Sequence, residues 1–519
     1  MENHERIFEL ALQRSFFFPS NEPYGSSAGF YDYGPVGVLI KHKIENLWRE
    51  TFIKNGGFHE IETSIITPEP ILEASGHVSS FADPITECIN CKTTIRADTF
   101  VEEKHYQLHG EKWDGKLESL DKVIKEKGLK CPRCTGEFGQ CFMFNLMFRT
   151  GIGGNRTTAY TRPETAQGIF TAFPRLFKNH GTKLPLAVGQ VGKSFRNEIS
   201  PRKGLVRMRE FTQMELEYFF DPEKDKFEGF EKLENIEMKM KIADKFSNMT
   251  TRQLVDKKVA SNEIMAYFLA LEWEFYRKLG VNVEDMWFRV LDKNEIPHYS
   301  NGNIDMEVKT SFGTVETIGN AYRTGFDLSQ HEKKSGKDFG VFVDGRKITP
   351  HVFEVSMGVD RLFFTLLEQC FRDKDKTENT DSGNGKLETE NKEQETGNRE
   401  LKTDKGWEWF DFPPAIAPYH VAVFPLMKKD GLPEKAQEIV GELRSKGLDV
   451  VYQLSGSIGR RYARADEIGV PYAITIDYDT LKDDTVTLRY RNDGKQERIK
   501  LSGCESKLRN NINEGKVTL

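Results

Sequence analysis

Arginine recurs where a polyphosphate could be held. The run Ser194-Phe195-Arg196-Asn197-Glu198-Ile199-Ser200-Pro201-Arg202-Lys203-Gly204-Leu205-Val206-Arg207-Met208-Arg209-Glu210-Phe211 reads as two apolar-flanked strands around a turn rich in cations. An arginine on each side of such a turn can grip phosphate oxygens, because guanidinium pairs with them bidentately. On composition alone, a hairpin with a basic solvent face accounts for the run equally well. A second set of candidate ligands is Cys88-x2-Cys91 and, beyond residues 92–130, Cys131-Pro132-Arg133-Cys134. Two knuckles with two thiolates each suit one tetrahedral zinc ion, and four protein ligands leave no open position for catalysis. Unliganded thiols are the alternative, and His77 and His105 are redundant as ligands. A third set, Arg460, Arg461, Tyr462 and Arg464, opens a predicted helix after Gly456 and Gly459. Its free amides and guanidinium groups could meet RNA phosphates and bases, although a plain basic helix face reads the same way.

The order of these residues resembles a known pattern. Phe195-Arg196-Asn197-Glu198 followed by Arg207-x-x-x-Phe211 is similar to motif 2 of class II aminoacyl-tRNA synthetases, and Gln190 to Glu217 resembles the glycyl-tRNA synthetase form of it. His351 to Arg361, ending in Gly358-Val359-Asp360-Arg361, resembles motif 3. Gly56 to Ile61 through Thr67-Pro68 resembles motif 1, which implies a homodimer. The resemblance makes Arg196 and Arg361 catalytic. It also implies an ATP site in which Arg196 holds the α-phosphate, Arg207 the outer phosphates and Glu198 the adenine or the acceptor end. Phe211 and Arg361 would sandwich the base.

Three further strings resemble glycyl-tRNA synthetases: Thr161 to Gly168 (TRPETAQG), Val315 to His331 (VETIGNAYRTGFDLSQH) and Glu354-Val355-Ser356. They imply that Glu164, Glu354 and Ser356 hold the glycine ammonium, with Arg323 near its carboxylate and Glu316 as a Mg²⁺ ligand. Val355 stands where many members carry proline. A glycine pocket can reject every larger amino acid by steric exclusion, so no editing domain is required. The partners implied are ATP, glycine and tRNA(Gly), with Mg²⁺ and a structural Zn²⁺ as cofactors. A synthetase for threonine or proline fits these strings less well. An inactive accessory nucleic-acid-binding subunit should have lost one of Arg196, Arg207 and Arg361, and all three are present.

These residues need a scaffold, and 519 residues are enough for several domains. Strand-like runs at 185–190, 211–220 and 313–317 alternate with helical patterns at 227–248 and 261–279, which favours an α+β core with an antiparallel sheet backed by helices, and the resemblance implies that this is the class II synthetase catalytic fold. We expect a catalytic domain over 1–372, carrying a zinc-ribbon-like insertion at 84–140. Residues 373–406 lack aromatic side chains and are dense in Glu, Lys, Asn and Thr, so they are expected to be a disordered insertion. Beyond it, strands at 419–424, 448–452 and 472–476 and helices at 433–446 and 460–467 predict a small α/β domain with a largely parallel sheet; the run Gly456 to Gly469 and its surroundings from Ala415 onward resemble the anticodon-binding domain of these enzymes, expected over 407–519. The net charge of -6 does not advertise RNA binding, which depends on local patches. No apolar run reaches the length of about 18 residues that would suggest a membrane span. The seven cysteines do not suggest a disulfide framework, and a cytoplasmic location is expected.

Overall fold

The computed structural model describes residues 3–107, 113–199, 201, 204–292, 295–296, 300–374 and 407–514. Its spine is the strand Glu210–Phe220, paired antiparallel with Leu186–Phe195 on one side and His351–Gly358 on the other. The sheet has nine strands, in the order Lys245–Thr250, Glu237–Ile242, Met286–Val290, Ile304–Thr310, Gly313–Thr324, His351–Gly358, Glu210–Phe220, Leu186–Phe195 and His59–Glu60. Two junctions are parallel, at Met240 beside Phe288 and at Val188 beside His59. The rest are antiparallel, as the sequence led us to expect.

Period-two alternation divides the two faces of this sheet. Met214, Leu216, Tyr218 and Phe220 enter the main apolar core with Phe353, Val355 and Met357. Helix Glu263–Leu279 covers that face, with Phe268 against Tyr218 and Phe353. Asn262 caps the helix by accepting from the Met265 amide at 2.9 Å, and Gly280 ends it at φ 89°, a left-handed conformation that glycine adopts without Cβ strain. Residues of opposite parity (Phe211, Gln213, Glu215 and Glu217, with Glu354, Ser356 and Gly358 from the neighbouring strand) share the other face. Phe219 and Val352 close that face at one end, under helix Ala166–Asn179.

Two expectations need correction. Residues 227–248 are not a helix: Glu237–Ile242 and Lys245–Thr250 form a hairpin whose turn residues, Ala243 and Asp244, both have positive φ. Glu, Lys and Met are good helix formers, but sheet pairing and burial of Met238 and Met240 override that propensity. The C-terminal sheet is mixed rather than largely parallel. Val450–Tyr452, Val421–Pro425 and Tyr472–Ile476 are parallel, and Thr485–Tyr490 and Gln496–Lys500 then add antiparallel. In the insertion, Ala82–Glu87 pairs with Thr94–Arg96 and Phe142–Asn145, and helix Leu117–Glu126 packs Leu120 and Ile124 against Ala97, Val101 and Cys141.

Phe371–Lys374 pairs antiparallel with Trp407–Phe410, setting Lys374 opposite Trp407. Arg6 clasps both strands, 2.8 Å from Asp373 and 2.9 Å from Glu408. Residues 373 and 374 of the expected disordered insertion are therefore in a strand, and its remainder lies outside the described residues. Because closure entropy grows slowly with loop length, replacing 375–406 by a short Asn-Gly turn should shift Tm by no more than about 3 °C, measured by calorimetry.

Candidate active site

Over the open face of the sheet lies a cleft of ≈ 370 Å³ whose lining includes every residue expected to bind ATP, glycine or Mg²⁺. Arg196 leaves the end of its strand with Nε donating to the Pro163 carbonyl at 3.1 Å, and its guanidinium lies between the Phe81 and Phe211 rings, 5.4 and 5.5 Å from their centroids. Arg207 pairs with Glu198 at 2.7 Å. Arg361 donates to the carbonyls of Val206 at 3.1 Å and Glu316 at 3.0 Å, and the Glu316 carboxylate lies 3.5 Å from it. Residue 200 and residues 202–203, in the intervening loop, lie outside the described residues.

The acidic half of the cleft is built by strand register. Glu215 stands opposite Ser356, and Glu217 opposite Glu354. Ser356 donates to Glu215 at 2.8 Å, Gln213 donates to the same oxygen at 2.8 Å, and the Thr165 amide donates to the other at 2.9 Å. Glu164 accepts from Gln167 at 2.9 Å. Gly319 and Ala321, on the adjoining strand, lie beside Ser356 and Glu354, and their small size lets the carboxyl groups crowd together. Arg323, 4% exposed, corrects one expectation: rather than standing ready for a substrate carboxylate, it donates to both Asp327 oxygens, at 2.7 and 2.9 Å, and to Glu354 at 2.6 Å.

Charge is out of balance here. Burial pushes the Glu354 carboxyl up, against the pull of Arg323 and with help from Glu215, Glu164 and Asp327, to about 8. Glu217 is fully buried, neither of its oxygens has a hydrogen-bond partner among the described residues, and burial followed by the nearby Glu354 raises it well above the usual carboxylate range. Glu215 is raised by burial and then by Glu164. Such a pocket favours added positive charge, and an ammonium group would supply it.

Sequence reasoning missed Gln213, Glu215 and Glu217, although strict alternation with Met214, Leu216 and Tyr218 marks them as one strand face. It also missed Asp360, which accepts from the Thr212 amide at 2.6 Å and from the Tyr33 hydroxyl at 2.7 Å, tying the start of helix Val359–Cys370 to the central strand.

The ligand atoms of Cys88, Cys91, Cys131 and Cys134 all lie within 4.8 Å of one another, with Sγ–Sγ distances of 3.5 Å for Cys88–Cys134 and 3.7 Å for Cys91–Cys131. Thiolates about 2.3 Å from a tetrahedral ion would stand about 3.8 Å apart, so the four sulfurs fit one metal. Lys92 and Thr135, each at φ 58°, turn the two knuckles after their second cysteine. In the C-terminal domain, helix Ile458–Glu467 presents Arg460 to solvent and leaves Arg464 half-buried. Arg461 departs from the expected RNA surface. It is 2% exposed and donates to the Pro425 carbonyl at 2.6 Å, because it shares the buried helix face with Ala465.

Residues 153–370 match the tRNA synthetase class II core domain (G, H, P, S and T), and residues 420–511 match the anticodon binding domain. With arginines and carboxyl groups gathered on the open face of a mainly antiparallel sheet, these matches define a class II aminoacyl-tRNA synthetase. The chain is 35% identical to the glycine–tRNA ligase of Methanocaldococcus jannaschii over 98% of its length and 99% of that protein's. It is 36% identical to the glycine–tRNA ligase of Methanothermobacter thermautotrophicus over 96% of this chain and 97% of the other. It belongs to the glycine–tRNA ligase family.

Since Arg461 braces the C-terminal fold from inside, Arg461→Ala should cost about 2–4 kcal/mol of stability in urea unfolding. Arg460→Ala, at an exposed position, should cost less than about 0.5 kcal/mol.

Proposed function

We propose that this cleft activates glycine with ATP and passes the glycyl group to the 3′ end of tRNA(Gly). The reading rests on one observation: a carboxyl cluster that favours added positive charge lies in the same cleft as Arg196, Arg207 and Arg361. Glycine brings an ammonium, received by Glu164, Glu215, Glu354 and Ser356. Its carboxylate attacks the α-phosphorus of ATP in line, and pyrophosphate leaves with the electrons of the broken P–O bond. The nucleophile is already ionised, so no general base is needed, and catalysis is positioning and charge neutralisation. Arg196 faces the α-phosphate, Arg207 the outer phosphates, and Phe211 and Arg361 flank adenine. A terminal ribose hydroxyl of the tRNA then attacks the glycyl carbonyl, and AMP leaves. Mg²⁺, when bound, would add charge neutralisation on the phosphates, and Glu316, half-exposed in the cleft, would be a carboxylate able to hold it.

On this reading, residues 1–372 form the catalytic domain and 84–140 an insertion held by structural Zn²⁺ on Cys88, Cys91, Cys131 and Cys134. Residues 407–519 form the anticodon-binding domain, with Arg460 and Arg464 toward RNA. A homodimer and a cytoplasmic location belong to the same proposal; among the described residues no helix is long and apolar enough to cross a membrane.

ATP–pyrophosphate exchange run with each amino acid should respond to glycine alone, and exchange with a larger amino acid would overturn the pocket assignment. Glu354→Gln should raise KM for glycine by about 10- to 100-fold with KM for ATP nearly unchanged, the loss expected for a charge-assisted contact to one substrate. Elemental analysis should find one zinc per chain, and Cys131→Ser should lose it together with the cooperative unfolding of the insertion.

A further inference from the structure

One buried carboxyl group behind the cleft has no part in the chemistry above. Glu272 lies on helix Glu263–Leu279 and Asn320 on the strand Gly313–Thr324, and both are fully buried. Asn320 Nδ2 donates to Oε2 of Glu272 at 2.9 Å. The second oxygen of each group, Oε1 of Glu272 and Oδ1 of Asn320, is buried with no hydrogen-bond partner among the described residues. The charged group acting on Glu272 is Asp305, which has the same sign. A carboxylate sealed there as an anion with one hydrogen bond would be costly.

A single proton removes that cost. A carboxylic acid and a primary amide each present one donor beside one acceptor, so a proton on Oε1 can donate to Oδ1 while Nδ2 donates to Oε2. That pairing satisfies both orphaned oxygens together. Burial, which raises the Glu272 carboxyl well above the usual range, acts in the same direction.

We infer that Glu272 is a positioning residue for amino-acid selection: as a neutral acid it forms a two-bond pair with Asn320 and holds the strand that carries Gly319 and Ala321. This rests on the reading of the acidic half of the cleft as the glycine pocket. Asn320 stands opposite Val355 on the core face, whereas its neighbours Gly319 and Ala321 stand opposite Ser356 and Glu354 and line the cleft. On its other edge the strand is poorly held. Regular pairing reaches Ile318 opposite Met306, and beyond it only an isolated bridge joins Ala321 to Asn303. The Asn320 amide is given to the Asp305 carboxyl instead. Apolar packing under the sheet is non-directional, so the pair supplies the directional contact where the ladder is broken. A pocket that excludes side chains by size needs a wall that does not yield, and Gly319 and Ala321 are part of that wall.

Infrared difference spectra of the full chain against Glu272→Gln, taken near neutral pH, should show loss of a protonated-carboxyl band that shifts in D2O. Loss of a carboxylate band instead would overturn the pairing. In pyrophosphate exchange, Glu272→Ala should raise KM for glycine about tenfold and make exchange with alanine measurable, with KM for ATP within about twofold. Glu272→Gln keeps one donor beside one acceptor and should hold KM for glycine within about twofold of the unaltered chain, with no exchange on alanine. Asn320→Ser breaks the pair from the strand side, should repeat the effect of Glu272→Ala, and carries the test if that variant does not fold. Unchanged KM and selectivity in Glu272→Ala and Asn320→Ser, or an equal loss in Glu272→Gln, would overturn the role of Glu272. Failure of the glycine reading looks different: Glu354→Gln would leave KM for glycine unchanged, while the infrared band would still vanish with Glu272→Gln.

Discussion

One buried guanidinium holds the acidic half of the cleft together. Arg323 bridges Asp327 and Glu354, and its charge also acts on Glu164 and Glu217. Taking so many ionisable groups out of water costs several kcal/mol for each charge left unpaired. The cluster stands because each member is held by a different rigid element: Asp327 by helix Phe326–Ser335, Glu354 by the strand His351–Gly358, and Glu164 by the turn into helix Ala166–Asn179. Glu217, raised by burial and by Glu354, holds a proton more tightly than an exposed carboxyl does. The cluster as a whole favours added positive charge.

The sheet makes that cluster compatible with a stable fold. On the strand Glu210–Phe220, residues of one parity build the core beneath helix Glu263–Leu279, and those of the other parity face the cleft. A one-residue slip in register would send Glu215 and Glu217 into the core and Met214 and Leu216 into the cleft, so the register is fixed by hydrophobic burial rather than by the acids. Pairing with His351–Gly358 then sets Ser356 against Glu215 and Glu354 against Glu217 with no further adjustment. The strands bring the ligands together from residues far apart in the chain.

Much of this was legible in the sequence because the functional strings are contiguous and chemically dense. Arg196, Glu198, Arg207 and Phe211 sit in one hairpin, and the helix at 261–279 and the strand at 472–476 follow plain apolar patterns. What escaped was decided by pairing across the chain. The Glu237–Thr250 hairpin reads as helix until its neighbours in the sheet are known, and the task of Arg323 depends on Asp327 in the helix that follows its strand and on Glu354 from another strand. Arg461 looks like its neighbour Arg460 in a list of basic residues, but helical phase buries one and exposes the other. The disordered insertion expected from composition falls, beyond Lys374, outside the described residues.

The cysteine-bearing insertion bears on the site through hydrogen bonds at its root rather than through its distant knuckles. Its returning strand, Phe142–Asn145, ends where Asn145 holds the helix carrying His77. The next amide, Leu146, donates to the Phe81 carbonyl at 3.0 Å, and the Leu146 carbonyl accepts from the Asn197 amide at 2.6 Å. Asn197 directly follows Arg196, so one residue pair at the base of the insertion is bonded to the backbone of His77 and to the residue after Arg196. An element tied at these points cannot drift without moving both halves of the cleft. A metal that fixes the knuckles would therefore stiffen the two strands that carry these bonds, giving a structural ion a route to the substrate groups without contact between them.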